Sequence, residues 1–481
     1  MMRFKWLLPI ILVAFAGFTI SSCTDDDSFS ASSSARLSFS ADSIRMDTVF
    51  SNIPTAMKSL WVYNRTGDGL RCTSIRLERG NQSGFRVNVD GTYLGQQGGF
   101  QTQNVELRKG DSIRVFVELT SPENGRLQPV RLEDNLLFTL ENGNVQRVHL
   151  DAYSWDAQLL RNVRIEKDAV IGASPNPIVI MGGLTVAPGA TLRLAAGACL
   201  YFHSDARLDV YGRLLCEGSP EANVVLRGDR TDRLFDYLPY DYVSGQWQGI
   251  RLHGSSFGNK ISYTDIHGTM DGISIDSTEA SRPKLELFSS TVHNCQGYGL
   301  KAVNANVLLE NSQITNTLKD CVYLNGGVAT VNNCTFAQFY PFDGNRGAAF
   351  SFASTSGKLT LSCTNTLITG YADDVLTGVK GEGSNAAEYL FADCIIRTPQ
   401  VSEDESAHFK RVIFENPKDT AHTGTKHFAK IDTEKLRYDF RLSPGSAAVD
   451  KADAATAATS DRDGNARNDG KPDVGAYELK H

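Results

Sequence analysis

Polar and apolar residues alternate through residues 36–153 in short runs. Examples are Ser59-Leu60-Trp61-Val62-Tyr63, Phe85-Arg86-Val87-Asn88-Val89 and Ser112-Ile113-Arg114-Val115-Phe116-Val117, with Gly, Asn and Asp turns between them. A period of two sends successive side chains to opposite faces of a strand, so this stretch predicts a β-sandwich. From about residue 178 the pattern changes to apolar triplets: Ile178-Val179-Ile180, Leu184-Thr185-Val186, Leu192-Arg193-Leu194, Leu200-Tyr201-Phe202, Leu208-Asp209-Val210 and Val224-Val225-Leu226. Strands this short are unstable as isolated hairpins but can stack in parallel, coil upon coil.

Between residues 259 and 398 the stacking becomes a set of columns. Ile266, Val292, Ile314, Phe336, Ile368 and Ile396 recur at steps of 26, 22, 22, 32 and 28, where longer steps mark loops inserted into a coil of unchanged core. Three positions earlier stand Tyr263, Ser289, Asn311, Asn333, Asn365 and Asp393, followed by the small residues Thr264, Ser290, Ser312, Cys334, Thr366 and Cys394. A second column runs Ile273, Leu300, Val322, Phe350 and Leu376, with an insertion around Tyr340 to Arg346. Asn311, Asn333 and Asn365 at one inward turn predict a ladder of side-chain amides bonded from coil to coil. The cysteines form no CxxC pair, and Cys334 and Cys394, two coils apart, are too distant for a disulfide.

The end of the chain carries the most specific internal motif. Leu442-Ser443-Pro444-Gly445-Ser446-Ala447-Ala448-Val449-Asp450, Asp461-Arg462-Asp463-Gly464-Asn465, Arg467 and Pro472-Asp473-Val474-Gly475-Ala476-Tyr477-Glu478 resemble the C-terminal segment of choice-of-anchor surface proteins. With the columns, residues 170–481 resemble the pectin-lyase-like superfamily. The resemblance implies an all-β chain: a right-handed parallel β-helix over 154–440 and a C-terminal cap over 441–481 that covers the open end of the solenoid. The stretch 36–153, down to Asn64 after the Leu60–Tyr63 strand, resembles an immunoglobulin-like module. Asp461, Asp463 and Asp473 are calcium candidates by their oxygen ligands, although Gly464 is not at the EF-hand position. No other cofactor is expected.

The N-terminus adds an address. Arg3 and Lys5, the apolar run Trp6 to Ile20 and the small pair Ser21-Ser22 have the layout of a signal peptide over residues 1–22. Ile20-Ser21-Ser22-Cys23 resembles a bacterial lipobox, which implies cleavage before Cys23, acylation with palmitate-type chains, and a membrane partner through that lipid. Residues 23–35 read as a solvated Ser/Asp-rich tether. The run Asp25-Asp26-Asp27 is similar to an export signal for the outer face of the outer membrane. A formal net charge of −7, more negative still once Arg3 and Lys5 are removed, argues against nucleic acid as a partner.

Candidate chemistry falls on two stretches. The polar turns after the first column supply His293, Lys319, Asp320, Arg346 and Asp374 as catalytic candidates. Asp271, Asp320 and Asp374 share one column, but on alternate coils they stand about 10 Å apart, beyond either carboxylate spacing of a glycosidase. The loop 228–247 offers Arg230, Arg233, Tyr237, Tyr240, Tyr242 and Trp247, flat rings beside charged groups as a sugar surface requires, while Trp247 also suits packing against the coils. The superfamily contains polysaccharide lyases, hydrolases and adhesins, so fold alone does not choose. The sequence therefore points to a surface lipoprotein with an elongated flank for glycan or another surface macromolecule. A polysaccharide lyase or glycoside hydrolase is the alternative, and a structural envelope component the third reading.

Overall fold

The structure, a computed structural model, describes residues 28–480. The expected signal peptide, the expected lipidation site Cys23 and the run Asp25–Asp27 lie outside the described residues. No helix among the described residues is long and apolar enough to cross a membrane. The fold is almost wholly β, and the chain divides into two units, one holding residues up to Glu123 with Arg131–Ser154, the other Asn124–Val130 with Trp155–His481.

In the first unit the alternation expected from sequence becomes alternating burial, as along Ser112–Leu119. One five-stranded sheet contains Lys58–Tyr63, Ser112–Leu119 and Phe85–Val89, and a second contains Leu70–Leu77, Val130–Leu140 and Val145–Trp155. Val62, Val115 and Val117 from one sheet and Ile75, Phe138 and Leu150 from the other share a single apolar core. Asn64 is buried at a turn, where its amide donates to the carbonyls of Asp68, Leu107 and Arg108. The described part of the expected tether is not free chain. Ser30 N–H donates to Gly69 O and Gly69 N–H to Ser28 O, both at 2.8 Å, Arg71 lies over the Phe29 ring, and Ala35 is buried. Phe29 gives this stretch the apolar group that its Ser/Ala composition otherwise lacks.

The second unit is built on a 26-stranded, mostly parallel sheet, consistent with a solenoid-like arrangement. It begins at Gln158–Ile165, which pairs in parallel with Ile178–Val186. Both expected columns are backbone registers: Ile266, Val292, Ile314, Phe336, Ile368 and Ile396 pair in succession, as do Ile273, Leu300, Val322, Phe350 and Leu376. Their side chains join one core that runs from Ile178 to Ile396. All eight described cysteines are free thiols, most of them buried, and burial pushes the Cys216 and Cys334 thiols up to about 12.

The asparagine column works differently from the expected ladder. Tyr263, Ser289, Asn311, Asn333, Asn365, Asp393 and Arg411 all take positive φ, between 43° and 54°. The column is a corner in left-handed conformation, and Asn and Asp recur in it because they occupy that region at lowest cost among residues with a Cβ. The amides of Asn311, Asn333 and Asn365 do not bond one another. Asn311 donates to Ser460 O at 2.6 Å, Asn333 accepts from Ala458 N–H at 2.9 Å, and Asn365 accepts from Asp453 N–H at 2.9 Å.

These contacts also correct the expected end cap. As the chain advances from Asp453 to Ser460 it steps back along the corners, from Asn365 to Asn311, and Arg462 then reaches Thr291 and Asn223. Residues 437–480 are therefore a strap along the flank of the stack. A second apolar core holds the strap down, in which Phe440, Leu442, Val474, Ala476 and Tyr477 pack on Ala337, Phe339, Leu367 and Ile395 of the sheet's outer face. A buried polar pin secures its root: Glu415, fully buried, meets His427 Nε2 at 3.0 Å, Arg397 Nη1 at 3.2 Å and Thr369 Oγ1 at 3.2 Å. Burial alone would raise the pKa of Glu415, but the hydrogen bond and charge of His427, with those from Thr369 and Arg397, hold it below its ordinary 4.5.

Two predictions follow from the strap. Asn333→Val places a β-branched residue at φ 47° and deletes the side-chain bonds to Ala458 N–H and Asp473 O, so chemical denaturation should show a loss of about 3 kcal/mol. Asn333→Gly keeps the corner and should lose only about half of that. A depressed carboxylate stabilises the fold fully above its unfolded pKa and ceases to do so as pH falls through the folded value. Acid denaturation should accordingly begin below pH 4.5 in the native chain, and Glu415→Gln should flatten that limb while costing about 3 kcal/mol at neutral pH.

Candidate functional site

The second column's sheet presents an outer row of polar residues. Each inward marker is followed by an outward residue, and these pair in the order Asp209, Arg251, Ser274, Lys301, Tyr323, Ser351, Thr377. Adjacent members lie one strand spacing, about 4.8 Å, apart. A groove of about 650 Å³ opens on the row, lined among others by Arg207, Gln248, Arg251, Ser274, Asp276 and Lys301. Gly249, at φ 79°, lets two neighbouring coils close up beside the groove, since a Cβ there would lie 1.6 Å from the Asp271 carbonyl oxygen.

Charge in the groove is unevenly matched. Arg251 meets Asp276 at 3.2 Å, and His253 lies 2.8 Å from Asp209 and 3.4 Å from Asp276. Among the described residues neither Arg207 nor Lys301 is within ion-pair distance of a carboxylate. Lys301 and Lys319 both lie over the Tyr298 ring, at 5.2 and 5.1 Å, and Tyr298 neighbours Tyr323 at 5.5 Å between centroids. The groove thus combines uncompensated cations with hydroxyl and amide groups, and the flat rings of Tyr298 and Tyr323 stand beside it at Lys301.

The catalytic candidates do not assemble. Asp320 Oδ1 accepts from Ala348 N–H at 2.8 Å, and Asp271 Oδ1 from Tyr298 N–H at 2.9 Å, so each of these aspartates staples its coil to the next. Asp374 Oδ1 accepts from Thr398 Oγ1 at 2.8 Å. Arg346 lies over Tyr371 and donates to Asp343 O, whereas Lys319 belongs to the Tyr298 cluster. The calcium candidates are likewise consumed. Asp461 accepts from Asp463, Asn465 and Glu478 backbone N–H groups, Asp473 from those of Asp450 and Leu479, and Asp463 pairs with Arg441 at 2.7 Å. They shape the strap's turns.

The loop 228–247 divides. Trp247 is fully buried, stacks on Phe202 at 4.2 Å and donates from Nε1 to His267 O at 2.8 Å, so it is core. Arg230 lies over Tyr240 at 3.7 Å while pairing with Asp232 through both carboxylate oxygens, and Arg437 of the strap lies over Tyr242 at 4.0 Å. Arg233 bonds Asp236 O within the loop. Tyr237 and Phe235, stacked on each other and both exposed, are loop rings that face solvent.

One cluster of chemistry includes just one of the catalytic candidates, His293. Asp265 and His267 flank the inward marker Ile266, and His293 follows the next marker, so all three face outward on adjacent coils. Asp265 Oδ1 meets His267 Nδ1 at 2.9 Å and His293 Nε2 at 3.1 Å, and Asp241 Oδ1 from the loop meets His267 Nε2 at 2.9 Å. Arg227 closes the set at 2.8 Å from Asp241. Burial opposes ionisation of His267, but the Asp265 charge and the bonds to Asp241 and Asp265 raise its pKa to about 9. Burial would raise Asp241 too, yet His267 and Arg227 hold it at about 2. Among the described residues, two groups of acidic and His side chains could hold a metal ion: Asp265, His267 and His293 here, and Glu133, His149 and Asp151 in the first unit.

No family model and no curated protein matches the chain. Among solved structures, a family 123 glycoside hydrolase from Clostridium perfringens has a TM-score of 0.19 at 7% identity, over 28% of this chain and 30% of its own. A protein of unknown function from Porphyromonas gingivalis W83 has a TM-score of 0.19 at 15% identity, over 29% and 59%. Dex49A from Penicillium minioluteum has a TM-score of 0.15 at 9% identity, over 72% and 66%. The chain thus spans less than two thirds of the first two. The similarity is that of β-rich folds and extends no further.

Proposed function

We propose that this chain is an outer-membrane lipoprotein, anchored through Cys23 and facing the cell exterior, that binds acidic glycan on its second unit. In this reading residues 36–153 are an immunoglobulin-like spacer and the parallel sheet is a right-handed β-helix. The observation that carries the reading is the groove at Arg207, Arg251, Ser274 and Lys301, with Tyr298 and Tyr323 beside it. A polymer of repeating sugars meets a surface that repeats at every strand. Arg207 and Lys301 supply charge for carboxylate or sulfate, Gln248 and Ser274 bond hydroxyls, and the tyrosines offer faces for stacking. The aspartates that an enzyme would use in this column are spent on backbone N–H groups, which favours binding over a lyase or hydrolase.

The mature chain, passed over a panel of acidic polysaccharides, should retain at least one of them, less strongly as salt is raised. Arg207→Ala with Lys301→Ala should weaken that retention more than about tenfold, at about 1.4 kcal/mol per factor of ten. Absorbance of unsaturated uronates or a rise in reducing ends would replace the binding reading with the enzymatic one. Silence in every arm would leave the structural envelope role in its place.

A further inference from the structure

The outer face of the first column's sheet carries a group of side chains that glycan binding does not use. Asp265, His267 and His293 each bring one ligand atom to within 4.8 Å of the other two. Two of the three separations are 2.9 and 3.1 Å. Tetrahedral zinc with bonds of about 2.0–2.1 Å requires donors about 3.3 Å apart, so a few tenths of an ångström of expansion makes room for an ion. The strand register supplies the rest of the precision. His267 and His293 are direct partners on neighbouring strands, with rings stacked at 4.9 Å, and Asp265 lies two residues before His267 on the same face.

A second, independent feature points the same way. A metal-bound histidine ordinarily gives its other ring N–H to a carboxylate, which fixes tautomer and orientation. His267 has this arrangement already: with Nδ1 turned to the cluster, Nε2 donates to Asp241, which Arg227 anchors in turn. His293 lines a cavity of about 270 Å³ that Tyr242, Gln313, Tyr438, Arg441 and Tyr477 also border. The rival group in the first unit lacks these features, because Arg131 pairs with both Asp151 and Glu133 at 2.9 Å and supplies the cation itself.

We infer that Asp265, His267 and His293 form a binding site for a divalent transition ion of the zinc class, with Asp241 as the outer partner of His267 and a fourth position facing the cavity. Two imidazoles and one carboxylate select such an ion over calcium or magnesium, which prefer oxygen alone.

The untagged full chain, stripped with chelator and titrated with Co(II), should develop the visible bands of a four- or five-coordinate ion at one equivalent, and Zn(II) should displace them. Asp241→Asn should weaken Zn(II) binding by about 10–100-fold, the usual cost of losing an outer partner. His293→Ala should weaken it further and abolish the Co(II) bands. His293 is partly exposed, and an unchanged circular dichroism spectrum and melting temperature without metal would show that this variant folds. His149→Ala should leave binding intact. Binding that survives His293→Ala, that is lost instead with His149→Ala, or that is weaker than millimolar overturns the assignment.

Discussion

One corner of the second unit is turned, coil after coil, by a single residue in left-handed conformation. From Tyr263 to Arg411 seven successive corners repeat φ between 43° and 54°. Any other residue with a Cβ would pay strain there, and Asn and Asp pay least. The corner sets where each strand begins, so the inward markers three residues later fall into register, and insertions are confined to loops elsewhere in the coil. It also leaves side-chain amides in a row on the outside of the bend. The strap exploits that row: Asn365, Asn333 and Asn311 each bind its backbone, and the apolar contacts of Phe440, Val474 and Ala476 follow once the strap is aligned. A local conformational rule thereby fixes a contact between positions up to 149 residues apart in sequence.

How much of this could be read from sequence depends on which physical demand selected each residue. Inward markers such as Val292 and Phe350 were legible because burial admits few residue types and the register repeats them. The asparagines were recognised as a column but given the wrong role, since an amide ladder and a left-handed corner both favour Asn. Tyr263 and Ser289 at the same position carried the distinction, because neither has an amide and both share the backbone angle. The strap was mistaken for an end cap because its partners lie far away in sequence. A trace of its docking was present in Leu367-Ile368 and Ile395-Ile396, where an apolar residue beside an inward marker must face outward and needs a cover.

The sites were less legible than the fold, for a different reason. An aspartate in a turn column looks the same in sequence whether it serves a substrate or a backbone N–H, and Asp271 and Asp320 serve the backbone. Arg251, Ser274 and Lys301 each follow an inward residue of the second column, so alternation alone places them on one outward row. Their interest lies in what is absent around Arg207 and Lys301 among the described residues, and a sequence does not display a missing counter-ion. Asp265 and His267 were equally recoverable by parity around Ile266. Asp241 was not, since the loop's path decides where its carboxylate lands.

The charges around His267 explain why that path is defined. Asp241, Asp265, Arg227 and an ionised His267 sum to zero, and each charge has an opposite partner within 3 Å. A partly buried set of this kind is tolerable only when every member is present, because removing one leaves an uncompensated charge in a poorly solvated place. Asp241 therefore ties the loop 228–247 to the sheet, while Gln246, whose amide donates to Val243 O at 2.8 Å, and buried Trp247 fix its exit. The strap arrives beside the same loop, where Arg437 lies over Tyr242. The cavity at His293 is thus walled by two segments that are separately pinned, one by charge and one by the asparagine corner. A replacement of the His267 proton by a metal ion leaves both pins in place, because it changes only the Nδ1 side of the ring, whereas Asp241 holds the loop through Nε2.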